Sequence, residues 1–151
     1  MQSRMSQPAT IVPGAMNALI TFSRSASGHV PDEVINMVNL RASQINGCGV
    51  CVLLHTEDMR AGGEPVERID TVAAWRESPY FTDAERAALA LTEAVTRLSD
   101  RPDPVPDAIW AEASRHYDEA ALAALMISIA SINVWNRLNV ATRQVAGEWK
   151  A

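Results

Sequence analysis

Apolar residues recur at intervals of three and four along most of the chain, and no segment sustains the alternation of a half-buried strand. This spacing places apolar side chains on one face of a helix. It predicts seven helices, at about residues 15–25, 31–45, 48–61, 65–78, 82–98, 106–116 and 119–138. We therefore predict an all-α fold, with one helical domain over residues 15–151 and a flexible arm over residues 1–14.

Capping residues mark several of the predicted helix ends. Pro31 precedes two acidic residues, a composition typical of a first helical turn. Thr82 and Glu85 have the spacing of a capping box. Asn46 and Gly47 both tolerate the left-handed conformation that ends helices. The third helix is therefore predicted to start directly after this pair.

Length, composition and charge narrow the functional class. The 151 residues are 48% hydrophobic and 21% charged, which suits one globular domain with a substantial core. A net charge of −5 with no basic cluster disfavours a nucleic-acid partner or an anionic membrane surface. The longest apolar run, residues 120–132, is shorter than the ~20 residues of a membrane span. No signal sequence is recognisable, so we expect a cytoplasmic protein without membrane attachment.

Both cysteines of the chain lie in one short motif together with a histidine. Cys48 and Cys51 are three residues apart, and His55 follows four residues after Cys51. On a helix these spacings bring the three side chains to one face. Cys48 would begin that helix, where backbone N–H groups favour a thiolate. The motif therefore has the layout of a reactive dithiol with its own base.

Two other interpretations of the motif remain open at this level. Two cysteines and one histidine can hold zinc with an open fourth position, which His29 or His116 would have to fill in a closed site. The cysteines can also be small buried apolar residues. Haem attachment requires histidine directly after the second cysteine, and a thioredoxin-like site requires a βαβ context; both are missing. We expect neither a bound metal nor a bound cofactor.

The segment from Leu40 to Cys48, continued to Cys51 and His55, resembles the alkylhydroperoxidase D-like branch of the carboxymuconolactone decarboxylase superfamily. The resemblance continues through three further segments and covers most of the chain from about residue 15. These segments are Ala74–Pro79, Thr82–Thr92 and Asn133–Asn139. It implies an all-helical AhpD-like fold and a homo-oligomer, commonly a trimer or a hexamer.

The implied activity is thiol-dependent reduction of hydroperoxides. By motif position, Cys51 would be the peroxidatic cysteine and Cys48 the resolving and more exposed one. His55 would belong to a proton relay serving Cys51. The resulting disulfide would be reduced again by an external thiol or lipoyl-type dithiol.

Two positions depart from the pattern of the resembled family. Asn36 stands twelve residues before Cys48, where peroxidase members carry glutamate, and Val50 replaces a histidine inside the motif of the best-known members. Asparagine cannot accept a proton at neutral pH. A redox-sensing or scaffold homologue with weak or no turnover is therefore the alternative. A lactone decarboxylase is a third possibility, although those members lack the dithiol.

Polar residues also interrupt the last predicted helix. Asn133, Asn136 and Arg137 follow an otherwise apolar stretch. Buried polar groups require hydrogen-bond partners. These side chains are thus candidates either for packing and interface contacts or for the lining of the active pocket.

Overall fold

The computed structural model describes residues 1–100 and 102–148, and within these ranges every regular element is helical. The α-helices are α1 (Pro8–Ile11), α2 (Ala15–Arg24), α3 (Asp32–Asn46), α4 (Gly49–Ala61), α5 (Val66–Thr71), α6 (Asp83–Thr96), α7 (Asp107–His116) and α8 (Glu119–Thr142). Two 3₁₀ helices span Val72–Glu77 and Leu98–Asp100. The predicted all-α class is confirmed. Residues 149–151, at the end of the predicted helical domain, lie outside the described residues.

The core is built around α3, which packs against α4, α6 and α8. The buried apolar side chains of these helices follow the three-and-four spacing of the sequence. The largest of them are Met37, Leu40, Met59, Leu89, Leu91, Leu125 and Ile129. Since α3 ends next to the two cysteines, this packing fixes the position from which the cysteine motif starts.

The predicted helix ends are largely reproduced. The hydroxyl of Thr82 accepts the N–H of Glu85, and the Glu85 carboxylate accepts the N–H of Thr82, so the capping box is present. Asp118 caps α8 by accepting the N–H of Ala121 at 2.9 Å. The predicted helix over residues 65–78 instead divides into α5 and a 3₁₀ helix, with non-helical backbone angles at Ala74.

A buried carboxylate joins α3, α6 and the 3₁₀ helix that follows α5. Glu93 accepts hydrogen bonds from Arg41 Nε at 2.8 Å, Trp75 Nε1 at 2.9 Å and Arg76 Nη1 at 2.8 Å. Burial alone would raise the pKa of Glu93, but the donors from Trp75, Arg76 and Arg41 outweigh it and lower that pKa. The charged form of Glu93 therefore connects these three elements through its hydrogen bonds.

The N-terminal segment differs from the flexible arm predicted for residues 1–14. Gln7 and Ala9 are buried at 5% and 4% exposure, and α1 forms within the predicted arm. The backbone N–H of Arg4 also donates to Thr142 O at 2.8 Å. The prediction of a loose arm is wrong for this part, because the partners that order it lie at the far end of the chain.

Helix α8 is a core helix with an unusual composition. It is the one helix among residues 1–100 and 102–148 with the length and mean hydropathy, 1.3, of a candidate membrane span. In that window 44% of the residues are buried within the fold. It packs against α2, α3, α4, α6 and α7. A cytoplasmic location stays a prediction.

Candidate active site

The turn between α3 and α4 places Cys48 at the N-terminus of α4. Gly47 ends α3 with φ of +68°, a left-handed conformation that glycine adopts without strain. Cys48 is the N-cap of α4, and its Sγ accepts the backbone N–H of Cys51 at 3.3 Å. The predicted position of the motif, at the N-terminus of a central helix, is confirmed.

The two sulfur atoms lie 2.6 Å apart, and both cysteines are free. Cys48 is 1% exposed and Cys51 is 3% exposed. The expectation that Cys48 is the more exposed cysteine is therefore wrong. Both cysteine side chains belong to a small buried cluster that also includes Ala42 and Ile132.

The negative charge of the dithiol favours Cys48. The hydrogen bond from the Cys51 thiol is the largest influence, and it lowers the pKa of Cys48 from 9.0 to about 6 against the opposing effect of burial. The backbone N–H of Cys51 acts in the same direction. Donating to Cys48, together with burial, raises the pKa of Cys51. Of the two sulfurs, Cys48 is therefore the one whose surroundings favour the charged form, and Cys51 the one whose surroundings favour the protonated form.

A cavity of about 530 Å³ opens onto Cys51 but not onto Cys48. Its walls come from α1, α2, α3, α4 and α8 and are mainly apolar. The lining residues are Thr10, Met16, Ile20, Ser23, Arg24, Asn39, Val50, Cys51, Leu54, His55, Ser128, Ser131, Ile132, Trp135 and Asn139. None of these carries a carboxylate. A molecule in this space would meet one thiol, one imidazole and one guanidinium as its ionisable neighbours.

His55 lines the same cavity as Cys51, one helical turn further along α4. The His55 side chain is 12% exposed, and its Nδ1 lies 3.3 Å from Asp58 Oδ2 without hydrogen-bond geometry. The structure therefore brings together the thiol and imidazole that the spacing predicted. The proximity of Asp58 to the imidazole was not predicted, although Asp58 follows His55 by three residues on the same helix.

The asparagine at the family's glutamate position does not reach the cavity. Asn36 is half-buried on α3, and Asn39, one turn later, lines the wall instead. Asn39 Oδ1 accepts a hydrogen bond from Ser128 Oγ at 2.9 Å. Val50, the second departure, is buried and forms part of the wall. The position to which the resemblance gave a role in catalysis thus lies on α3 but outside the lining of this cavity.

Three asparagines of α8, at intervals of three residues, are buried, and two of them, Asn136 and Asn139, lie beside the dithiol. Asn133, Asn136 and Asn139 are 7%, 0% and 4% exposed. Asn46 Nδ2, at the end of α3, donates to Asn133 Oδ1 at 2.9 Å and to Asn136 Oδ1 at 2.8 Å. The first two asparagines therefore connect α8 to the residue that precedes the Gly47 turn. Their predicted packing role is observed, whereas neither lines the cavity.

Asn139 has the direct contact with the reactive sulfur. Its Nδ2 donates to Cys51 Sγ at 3.3 Å, and the residue also lines the cavity. Sequence reasoning selected Asn133 and Asn136 but not Asn139. The signal was available, because Asn139 continues the same spacing of three residues along the helix.

The histidines that could have completed a zinc site lie elsewhere. Neither His29 nor His116 lines the cavity, and His116 Nε2 lies 3.0 Å from Glu112 Oε1 on the surface of α7. Across residues 1–100 and 102–148, no group of three or more His, Cys, Asp or Glu side chains is arranged to hold a metal ion.

Comparison with known proteins identifies relatives over almost the whole chain. The uncharacterised protein YdfG of Bacillus subtilis is 38% identical over 132 residues, covering 87% of this chain and 88% of YdfG. A crystal structure from Agrobacterium tumefaciens, of a protein of unknown function suggested to be the antioxidant defence protein AhpD, is 30% identical with a TM-score of 0.90. That match covers 98% of this chain and all of the other.

A more distant structure, of a protein named as a debrominase, shows the same fold. The debrominase Bmp8, crystallised in complex with 2,3,4-tribromopyrrole, is 20% identical with a TM-score of 0.81. The match covers 92% of this chain and 74% of Bmp8. The sequence profile of the carboxymuconolactone decarboxylase family matches residues 13–94. The chain therefore belongs to the carboxymuconolactone decarboxylase family and has an AhpD-like fold.

Proposed function

We propose that this protein is a thiol-dependent peroxidase that reduces organic hydroperoxides with the Cys48–Cys51 dithiol. The observation that carries the proposal is the pair of sulfurs 2.6 Å apart, of which only Cys51 faces a cavity of about 530 Å³. Cys51 can react with the substrate while Cys48 stays close enough to form a disulfide with it. An external lipoyl-type dithiol or other thiol restores the reduced pair.

The first step forms a sulfenic acid at Cys51. The Cys48 thiolate accepts the proton of the Cys51 thiol, which leaves a thiolate on Cys51 at the cavity wall. This sulfur attacks the terminal oxygen of the hydroperoxide, the O–O bond breaks, and an alkoxide leaves. His55 faces the same cavity and protonates the alkoxide to the alcohol. Asn139 Nδ2, which contacts Cys51 Sγ, stabilises the charge on that sulfur.

The second step closes the disulfide. Cys48 attacks the sulfenic sulfur of Cys51, the S–O bond breaks, and the hydroxyl group leaves as water with the proton that Cys48 had accepted. Two thiols and one hydroperoxide thus yield one disulfide, one alcohol and one water. The external dithiol then exchanges with the disulfide and is itself oxidised.

The walls of the cavity favour an organic substrate over hydrogen peroxide. The cavity that Cys51 and His55 line is also lined by the large apolar side chains of Met16, Ile20, Leu54, Ile132 and Trp135. An alkyl or aryl group removes this apolar surface from water, whereas hydrogen peroxide has no group that does so. We expect a lower KM for cumene hydroperoxide than for hydrogen peroxide.

A redox sensor with little turnover is the second candidate, and the lining of the cavity favours it. No carboxylate lines the cavity, and Asn36 replaces the glutamate of the peroxidase members. Among the residues that line the cavity, proton transfer then depends on His55. A sensor would form the same disulfide once per oxidation event but would not turn over with a reductant.

Single-turnover reaction of the reduced protein with cumene hydroperoxide tests the proposal. Cys51→Ser should lose the reaction entirely, because the attacking sulfur is gone. Cys48→Ser should still consume one equivalent and accumulate a sulfenic acid that dimedone traps. His55→Ala should slow the reaction about 100-fold through loss of the proton donor. Stopped-flow mixing with thiol counting and mass measurement follows each species.

His116→Ala is the matched control, since His116 pairs with Glu112 on the surface of α7. It should react as fast as the unaltered protein. If Cys51→Ser consumes hydroperoxide as fast as the unaltered protein, the peroxidase proposal is wrong. Turnover is then measured with dihydrolipoamide as reductant. A disulfide that forms but is not reduced would favour the sensor.

A further inference from the structure

An uninterrupted series of hydrogen bonds connects the N-terminal segment to the reactive sulfur. The backbone N–H of Ala9 donates to Gln7 Oε1 at 2.6 Å. Gln7 Nε2 donates to Asn139 Oδ1 at 3.1 Å, and Asn139 Nδ2 donates to Cys51 Sγ at 3.3 Å. All four residues are buried, with exposures of 5% or less. Nothing in the resemblance or in the family match assigns Gln7, which precedes the matched residues 13–94.

The direction of every bond in this series follows from its first member. A backbone N–H can only donate, so the amide oxygen of Gln7 must face Ala9 and its NH₂ group must face Asn139. The oxygen of Asn139 is then directed at Gln7, and its NH₂ group is left for Cys51. The two side-chain amides thus have one orientation that satisfies all partners.

The backbone just before Gln7 is held by the C-terminal end of α8 and by Gln144, which follows that helix. Arg4 N donates to Thr142 O at 2.8 Å, and Arg4 Nη1 donates to Ala141 O at 3.0 Å. Gln144 Nε2 donates to Met5 O at 2.8 Å. These contacts keep the Gln7 side chain in the position from which it donates to Asn139. The ordering of this segment is therefore coupled to the position of an amide at the active sulfur.

We propose that Gln7 is a positioning residue, which acts through Asn139 to keep an N–H donor directed at Cys51 Sγ. The inference rests on the proposed function, because it assigns a role in stabilising negative charge on the attacking sulfur. A donor favours a thiolate over a thiol and also favours the sulfenate that follows. With the amide of Asn139 reversed, its oxygen would face the sulfur and favour the protonated thiol instead.

Two substitutions separate orientation from packing. Gln7→Met preserves volume but removes both the donor and the acceptor, so Asn139 loses its fixed orientation. Gln7→Glu retains an acceptor for Ala9 N–H and hence the cap of α1, but its carboxylate cannot donate to Asn139. Asn139 must then turn its NH₂ group towards residue 7 and its oxygen towards Cys51. Gln2, which is exposed, provides the matched control as Gln2→Met.

The measurement is the pH dependence of alkylation of Cys51 by chloroacetamide, in a Cys48→Ala background where Cys51 is the only thiol. Loss of a hydrogen bond to a charged group should lower the thiolate population about tenfold, which raises the alkylation midpoint by about one pH unit in Gln7→Met. Gln7→Glu should raise the midpoint further. Gln2→Met should leave it unchanged, and circular dichroism should show all variants helical.

The inference is overturned if both Gln7 variants are folded and keep the midpoint of the parent protein, or if Gln2→Met shifts it equally. Should Gln7→Met not fold, Gln7→Glu alone decides. In proteins with both cysteines, Gln7→Met should slow the single-turnover reaction with cumene hydroperoxide about tenfold. A failure of the peroxidase proposal looks different, because the alkylation midpoint would still shift while the unaltered protein left the hydroperoxide intact.

Discussion

Both halves of α8 have a buried face, but the first half (residues 119–130) buries mainly apolar side chains, whereas the second half (residues 131–142) buries several amides. The first half buries Leu122, Leu125 and Ile129 in the main core. The second half buries Asn136 and Asn139 beside the dithiol. A helix in a core gains stability from apolar contact, whereas every buried amide needs partners to offset its lost hydration. The second half, whose amides cost more free energy to bury, is the one that contacts Cys51.

The difference shows where stability and chemistry are separated in this fold. In the core half, packing requires only apolar side chains of suitable volume, so apolar substitutions that conserve volume should be tolerated. In the polar half, each amide has specific partners: Asn136 accepts from Asn46 and donates to Ser43 Oγ at 3.1 Å, while Asn139 contacts Cys51. Changing the core half should therefore alter stability alone, and changing the polar half should also alter the acidity of the thiols.

The largest effect on stability is expected from Leu125→Ala in the core half. Leu125 is fully buried, so the substitution removes apolar contact and leaves a cavity that lowers the free energy of unfolding by about 2–5 kcal/mol. The pKa of Cys48 should not change, because Leu125 and the dithiol belong to separate buried clusters. Urea denaturation and thiol alkylation measure the two quantities.

Val134→Ala is the matched control for this substitution, since Val134 is 38% exposed on the same helix. It should cost clearly less than Leu125→Ala. A shift in thiol acidity caused by Leu125→Ala would show that the two halves of α8 are coupled, and the separation drawn here would be wrong.

A smaller loss of stability, with an added chemical effect, is expected from Asn136→Ala in the polar half. Asn46 and Ser43 each lose a buried partner, which lowers the free energy of unfolding by about 1–3 kcal/mol. The pKa of Cys48 should rise, because Asn136 is among the donors that lower it. The same two measurements apply, with Asn17→Ala on the exposed face of α2 as control. Unchanged thiol acidity would restrict Asn136 to a packing role.

The sequence was sufficient for the parts of the fold that local chemistry determines. The spacing of apolar residues predicted the main helices, and the capping box at Thr82 and the turn at Gly47 predicted where helices begin and end. These features depend on residues within one or two turns of each other. The segment around Gln7 could not be predicted, because Asn139, its partner, lies 132 residues away.

The candidate site was predictable only in its contiguous part. Cys48, Cys51 and His55 lie within two turns of α4, so helical geometry alone brought them together. Which α3 residue reaches the cavity depends on how that helix is rotated against α8, and this selected Asn39 rather than Asn36. The relative burial of Cys48 and Cys51 also depends on tertiary packing. The assembly into trimers or hexamers stays a prediction.

The acidity of the dithiol is the property on which the proposed chemistry depends. The pKa of Cys48 is lowered from 9.0 to about 6, so this cysteine is a thiolate above that pH and a thiol below it. Between these two values the unfolded chain binds more protons than the folded one, so the stability of the reduced protein should rise with pH there. Cys51→Ala removes the largest donor and should move the pKa of Cys48 back towards its ordinary value.

The most direct test is a pH titration of the ultraviolet thiolate absorbance of the fully reduced protein, with Cys51→Ala as reference. We expect one thiolate per chain to appear with a midpoint near pH 6, and the second to appear only at far more alkaline pH. Two thiolates appearing together near the ordinary cysteine pKa of about 8.5 would contradict the assignment of the charge to Cys48. The polar half of α8 would then surround two ordinary buried thiols.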